Sequence, residues 1–400
     1  MSAVGRRIRV AQFALGVPRG ALVGGAEEFA ANLARRLNPA QFEVMLLGVW
    51  HFDDANEREQ IASLRQAGVG YAALMPHNPN IRELRRAIQP MRGFVRDWKP
   101  QIVNTHCEYA DFVTLAANAL IWPRVAHVRT AHLADEFPVV MKYRPHLARL
   151  LSAALTPLRW ADVGISRAVV ARLDDRPAAR LLGRKAHLFY NGVDLAAIGA
   201  KPTGADIRAE LGLPATAQLA GMVGRIEPRK GHADFLQAAK LLAAQNANVF
   251  FVIVGDGPSR PEVEDKAREL GLAGRLFFTG ARADAIAIIR ELNVLVSAST
   301  LEGLPTVLME AMAVGTPIVA TAIDGNTDLV QDGVSGVLAQ PGNPESLAQA
   351  MMDSLAHPSR SANMAQTAKE RVMAFSLDAI ARQYEALYKD IVLGERVSRV

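Results

Sequence analysis

Residues 299–321 read S-T-L-E-G-L-P-T-V-L-M-E-A-M-A-V-G-T-P-I-V-A-T, and they set the frame for the rest of the chain. Just upstream, Asn293 to Ala298 is a short apolar run of the kind that forms a buried strand. Gly303 breaks the strand, and Pro305 falls in the first turn of the following helix, where proline is best tolerated. Gly315 and Pro317 punctuate the helix end. Two glutamates, Glu302 and Glu310, flank the loop-to-helix junction. Glu310 is the one charge on an otherwise apolar helix. A buried, unpaired carboxylate is costly, so this side chain needs a partner, and a pair of ligand hydroxyls would serve. Glu302 lies just before the helix N-terminus, where backbone N–H groups favour an anionic ligand. The competing reading is an exposed helix glutamate beside a loop glutamate.

Outward from this stretch, apolar strand-like runs alternate with helical patterns throughout, which argues for parallel sheets built from βαβ units. Strands are predicted at Ile8–Ala14, Glu43–Gly48, Ile102–Thr105, Val125–Thr130, Val163–Ser166 and Leu188–Asn191. A second set is predicted at Leu219–Val223, Val249–Gly255, Leu276–Thr279, Val294–Ala298, Ile318–Thr321 and Gly336–Ala339. At 400 residues the chain exceeds what one core usually organises. The pattern weakens between Asp194 and Pro214, so the expected organisation is an N-terminal α/β domain over 1–196, a linker over 197–215 and a second α/β domain over 216–374. Residues 375–400 form an amphipathic helix with Ile380, Tyr384, Leu387, Tyr388 and Ile391 on one stripe.

Composition narrows the class. A hydrophobic content of 50% with only 6% aromatics suits layers built from Ala, Val, Leu and Ile. The apolar part of the N-terminus is short and closed by Arg19, so it reads as a first buried strand rather than a signal peptide. No stretch is long and apolar enough for a transmembrane helix. The single cysteine, Cys107, excludes a disulfide framework and a cysteine-cluster metal site, and a cytoplasmic location is expected. Charge is unevenly shared. Residues 1–193 carry 26 Lys and Arg against 16 Asp and Glu, and the remainder carries 19 against 24. The basic residues concentrate in 81–99 and 142–185, interleaved with apolar ones. That pattern suits a helix lying on an anionic membrane surface, peripheral to its inner face. The same pattern also fits a solvated face of an ordinary helix. No RNA-binding motif or zinc-finger spacing supports nucleic acid as a partner.

Glycine-rich and basic elements recur at the carboxyl ends of predicted strands, where open α/β sheets bind ligands. V-G-R-I-E-P-R-K-G closes the first strand of the second domain and supplies Arg225 and Lys230, two cations at a spacing that can grip a diphosphate. G-A-L-V-G-G-A-E-E-F places Gly24 and Gly25 before a helix, where paired glycines let backbone approach a phosphate or sugar. It lacks the G-K-[ST] of a P-loop, so ATP hydrolysis is not supported. V-G-D-G-P-S-R puts Arg260 where a dinucleotide fingerprint needs its third glycine, and so it fails as an NAD site. His132, in V-R-T-A-H-L, sits just past a strand end, where it can hydrogen-bond a sugar hydroxyl or phosphate. A structural role is the competing reading.

Taken with these motifs, residues 302–310 resemble the E-x7-E signature of retaining GT-B glycosyltransferases, specifically glycosyltransferase family 4. The resemblance runs from about Arg9 to Leu387 and is strongest between Gly221 and Val337. It implies two Rossmann-like domains around a central cleft, with the terminal helix crossing back to the N-terminal domain. By the same resemblance, Glu302 approaches the donor sugar and Glu310 holds the nucleotide ribose. Gly303, Leu304, Pro305 and Thr306 place backbone near the sugar and diphosphate, and Arg225 and Lys230 hold the diphosphate. Gly24 and Gly25 match the family's G-G-x-E element. His132 matches a histidine that approaches the donor sugar, and Arg282 lies where family members often seat the nucleotide base. His106 occupies the second position of an H-x-H pattern whose first position here is Asn104.

The implied reaction is sugar transfer from a nucleotide-sugar donor, UDP favoured over GDP, to a glycan or lipid-linked acceptor, with retention. No Asp-x-Asp pair occurs, so no metal and no cofactor are expected. Arg225, Lys230 and helix N-termini would neutralise the departing diphosphate in a front-face displacement. The alternatives are a GT-B nucleotide-sugar epimerase, which needs no acceptor, and a non-catalytic nucleotide-sugar-binding subunit.

Overall fold

The computed structural model describes residues 7–18, 25–77, 81–119, 124–132, 158–201, 204 and 206–394. The chain divides into two compact units, Met1–Gly192 with Leu377–Val400, and Val193–Ser376.

The first unit is a seven-stranded parallel sheet. Its strands are β1 (Ile8–Ala14), β2 (Phe42–His51), β3 (Gly70–Pro76), β4 (Ile102–Thr105), β5 (Ala126–Ala131), β6 (Ala161–Gly164) and β7 (His187–Leu188), in spatial order β3-β2-β1-β4-β5-β6-β7. The period of two along β1 sorts its side chains onto two faces. Val10 and Ala14 join a core with Phe29, Leu33 and the C-terminal helix. Ala11 and Phe13 join a second core with Leu84, Met91 and Val95. Gln12 lies on the C-terminal-helix side, fully buried between Val10 and Ala14. That helix, Leu377–Leu393, buries Leu377, Ile380, Ala381, Tyr384, Leu387 and Tyr388. Each of the larger of these side chains contributes about 1.5–3 kcal/mol on burial. The two tyrosines are among the largest fully buried side chains described.

The second unit is a six-stranded parallel sheet in order β10-β9-β8-β11-β12-β13. Its strands are β8 (Gln218–Val223), β9 (Val249–Val254), β10 (Leu276–Gly280), β11 (Val294–Ser297), β12 (Ile318–Thr321) and β13 (Val337–Ala339). Near-continuous apolar runs such as V-F-F-V-I-V on β9 reflect burial on both faces.

Four sequence expectations differ from what is observed. β3 was not predicted. Its G-Y-A-A-L-M-P has no β-branched residue and lies half-buried at the sheet edge, where alternation is weak. The segment expected to be a linker is packed structure. Helices Leu195–Ala200 and Ile207–Glu210 belong to the second unit, and Arg290 donates to the Ile198 and Lys201 carbonyls at 3.0 Å each. Short helices with few apolar positions leave little periodicity to read. Pro305 precedes the helix, which starts at Thr306, and has extended backbone as its N-cap. Lastly, much of the apolar face of residues 83–98 is spent on the core of the first unit. Leu84, Ala87, Met91 and Val95 are buried against the sheet and Ile88, Phe94 and Trp98 are partly buried beside them, while Arg85, Arg86 and Arg96 are exposed. The other basic segment lies partly outside the described residues. Among the described residues no helix is long and apolar enough to cross a membrane.

Candidate functional site

Both units gather polar side chains at the carboxyl ends of their central strands, next to the point where strand order reverses. In open α/β sheets that is the ligand-binding edge.

In the second unit the reversal lies between β8 and β11. A recess there is lined by Gly224, Arg225, Lys230, His232, Ser299 and Glu302, with Val307 on the following helix. Lys230 Nζ lies 2.6 Å from Glu302 Oε1, and Ser299 Oγ donates to the same oxygen at 2.7 Å. Arg229 Nη1 approaches Glu302 Oε2 at 3.7 Å. The pairing depends on a tight backbone crossing at Gly231. Its φ of 71° is left-handed, and a Cβ there would stand 1.9 Å from the Ala298 carbonyl oxygen. Thr300 N–H, donating to the Arg229 carbonyl at 2.8 Å, fastens the same two loops. Gly325 performs a similar service on the other side, since a Cβ there would meet the Gly303 carbonyl oxygen at 2.8 Å. Arg225 is exposed, and among the described residues its guanidinium has no hydrogen-bond or ion-pair partner.

Helix Thr306–Val314 carries Glu310 one turn beyond Val307. Burial pushes its carboxyl above the ordinary carboxylate range. Among the described residues that carboxyl has no hydrogen bond or ion pair. Gly303 is half-buried, Leu304 and Pro305 are buried, and Thr306 is exposed. Proline has no N–H, so backbone donation from this loop falls to Gly303, Leu304 and Thr306. Arg282 is committed elsewhere. It pairs with Glu210 at 2.5 Å and with Asp284 at 2.8 Å, so a contact to a base would have to break existing ion pairs. His232 and Ser299 were not singled out from sequence. His232 follows Gly231 directly, is buried, and has its pKa pushed down to about 4 by that burial.

In the first unit the reversal lies between β1 and β4. His132 follows β5, with its Nε2 3.3 Å from His106 Nδ1. Burial holds the His132 pKa at about 4, and burial together with His132 holds His106 well below its ordinary value. Phe29 packs edge-on to His132, with ring centroids 5.6 Å apart, and lies near His106. Phe29 belongs to helix Gly25–Arg36, so the element that begins with Gly25 buttresses both histidines. Gly25 itself is exposed and Gly24 lies outside the described residues. Glu27, in the same motif, is buried, and its pKa is raised by that burial. Gln12, Thr130, Tyr384 and Tyr388 carried no functional signal in the sequence. They are polar residues inside apolar patterns, and only the register brings them together. Among the described residues no three His, Cys, Asp or Glu side chains converge in a metal-holding group.

Two parallel α/β units with ligand edges of this kind define a GT-B glycosyltransferase architecture. Residues 23–197 match Glycosyltransferase Family 4, and residues 205–371 match Glycosyl transferases group 1. The chain belongs to the family 4 glycosyltransferases and is an enzyme of that class. Among its relatives, the putative glycosyltransferase EpsF of Bacillus subtilis is 29% identical over 319 residues, which span 78% of this chain and 79% of EpsF. The lipopolysaccharide core biosynthesis glycosyltransferase LpsE of Rhizobium meliloti is 32% identical over 44% of this chain, and the match spans 51% of LpsE. Anabaena HepE, solved in complex with UDP, shares the fold with a TM-score of 0.78. It is 21% identical, and the alignment covers 96% of this chain and 100% of that one.

Proposed function

We propose that this enzyme transfers a sugar from a UDP-sugar to a glycan or lipid-linked acceptor, with retention and without a metal. The observation that carries the reading is the second unit's recess. It places the unpartnered Arg225 beside a Lys230–Glu302 pair, with the unpartnered Glu310 on the adjoining helix. A cation without a partner among the described residues suits a diphosphate, and a half-buried carboxylate without one suits two ribose hydroxyls. Lys230, already held by Glu302, is preorganised to stabilise charge on the departing diphosphate. HepE was solved with UDP and with UDP-glucose, which supports a uridine nucleotide at this edge.

In the proposed step the C1–O bond to the diphosphate breaks as the acceptor oxygen attacks from the same face. The leaving phosphate oxygen takes the acceptor proton. His132 meets the donor sugar, and Glu302 orients it. The first unit serves the acceptor. Its exposed Arg85, Arg86 and Arg96 attract an anionic membrane face chiefly by charge, because much of the apolar side of their segment is buried.

The test is a panel of nucleotide sugars screened by thermal shift, followed by nucleoside diphosphate release with and without acceptor glycans. A cognate donor at 100 times its Kd stabilises by about 2.7 kcal/mol. Release that needs an acceptor supports transfer. Release or epimerised product without acceptor would favour an epimerase, and donor binding with no turnover on any acceptor would favour a binding subunit. Anionic vesicles belong in the same series. Co-sedimentation that fades with salt supports membrane recruitment, and none at low salt makes the acceptor soluble.

A further inference from the structure

The first unit holds a connected polar network in an otherwise apolar layer. Tyr388, on the C-terminal helix, accepts from Gln12 Nε2 at 3.0 Å and from Asn104 Nδ2 at 2.9 Å. Gln12 and Asn104 are register partners on β1 and β4, and Asn104 Nδ2 also donates to Gln12 Oε1 at 3.1 Å. Thr130 Oγ1 donates to Asn104 Oδ1 at 3.0 Å. Its one proton is thereby used, so Tyr384 is the donor in its 3.0 Å contact with Thr130. His106 Nε2 lies 2.8 Å from Gln12 Oε1, and His106 Nδ1 lies 3.3 Å from His132 Nε2. His132 Nδ1 is buried and has no partner among the described residues.

With the Gln12 and Asn104 amides oriented as above, these contacts set where the protons sit. Gln12 Oε1 can only accept, so His106 carries its proton on Nε2. Both hydrogens of Asn104 Nδ2 are taken by Gln12 and Tyr388, which makes its 3.3 Å approach to His106 Nε2 a contact and not a third bond. Burial keeps His106 neutral, so its Nδ1 is a lone pair. That lone pair accepts a hydrogen bond from His132 Nε2–H, which leaves His132 Nδ1 as a bare acceptor. The opposite arrangement would bury an N–H with no acceptor, and orphaned buried N–H groups are rarer than under-satisfied acceptors.

We propose that Gln12, Asn104, His106 and Tyr388 are positioning residues that lock neutral His132 in its Nε2–H tautomer and reserve Nδ1 as the hydrogen-bond acceptor for a ligand hydroxyl. The lock reaches from β1 to the C-terminal helix, so that helix helps set the hydrogen-bonding sense of a ligand-facing histidine as well as closing the core. The tautomer lock stands on the network and on the burial that keeps His106 neutral. Its use in catalysis rests on the proposed contact of His132 with the donor sugar.

The test is nitrogen–proton correlation NMR on the full chain labelled at histidine, at pH 7 without ligand. His132 is expected to show a protonated Nε2 and an unprotonated Nδ1. His106→Phe removes the acceptor and should yield a mixture of tautomers. His106→Asn keeps an acceptor close to the place of Nδ1 and should restore the single form. With donor and acceptor present, kcat should fall about a hundredfold in His106→Phe and recover in His106→Asn, with the KM for donor little changed. A wild-type His132 protonated on Nδ1, or already mixed, overturns the proposal. So does a His106→Phe protein that is folded by circular dichroism and keeps the single Nε2–H form. If instead the signature and its loss are as expected while His132→Ala retains full turnover, the lock is supported and the donor-sugar role of His132 is what fails.

Discussion

The two candidate ligand edges of this enzyme are built from opposite materials. In the second unit the groups at the strand ends are charged and only partly covered. Arg225 is exposed, Lys230 pairs with Glu302, and Glu310 has no partner among the described residues. In the first unit they are neutral and buried, with Gln12, Asn104, Thr130, His106 and two tyrosines hydrogen-bonded in a chain. A recess of charges at the surface can exchange water for an anion at modest desolvation cost. A buried network has already satisfied nearly all its groups, and what it offers a ligand is one oriented acceptor. The contrast fits an edge for the nucleotide diphosphate and an edge for uncharged hydroxyls.

The sharpest way to break the comparison is to remove the cations. Arg225→Ala and Lys230→Ala should each lower turnover at saturating donor by about 2.7–4 kcal/mol in transition-state stabilisation. Melting temperature should move little for Arg225→Ala, which loses no partner. Near-normal kcat in both variants would remove the diphosphate from this edge.

Glu310 comes next. Glu310→Ala should weaken UDP binding by about 1.5–3 kcal/mol, read by calorimetry. The ligand-free variant should gain stability at neutral pH. The folded-state pKa of Glu310 is raised, so the stability tied to its protonated form is lost as pH rises through that folded value. Unchanged affinity for UDP and GDP would take Glu310 out of the site.

The smallest expected effect is on acid stability. The His132 pKa is lowered to about 4 by burial, so the unfolded chain binds its proton first. Stability from this residue is complete above the ordinary histidine value near pH 6.5 and declines as pH falls toward 4, by about 1.4 kcal/mol per pH unit. Denaturant titrations between pH 7 and 5 should show the decline. His132→Phe should make it shallower by one proton's share, the rest coming from the other buried histidines such as His106 and His232, and an unaltered slope would mean that His132 is not held neutral by burial.

How much of this was legible in the chain differs between the edges for one reason. The second unit's groups announce themselves locally. Glu302 and Glu310 flank one loop, and Arg225 and Lys230 flank another, each directly after an apolar strand, so strand-end placement follows from reading apolar runs and turn residues in order. The parallel α/β class and the buried stripe of the C-terminal helix follow from the same periodicity. What could not be read was which loops meet. The Lys230–Glu302 bond joins residues 72 positions apart, and Arg282 is diverted to Glu210 across another 72. In the first unit almost nothing is local. Gln12 and Asn104 are 92 positions apart, and Tyr388 lies 376 beyond Gln12. Each is an ordinary polar residue in an apolar pattern. Sequence alone determined the strands other than the edge strand β3, the helix stripes and the chemically conspicuous loops, because these depend on neighbours a few residues away. The proton arrangement on His132 and the partner of Glu302 were decided only by tertiary structure, because hydrogen bonds form between groups that sheet register and helix docking bring within 3 Å, whatever their distance along the chain.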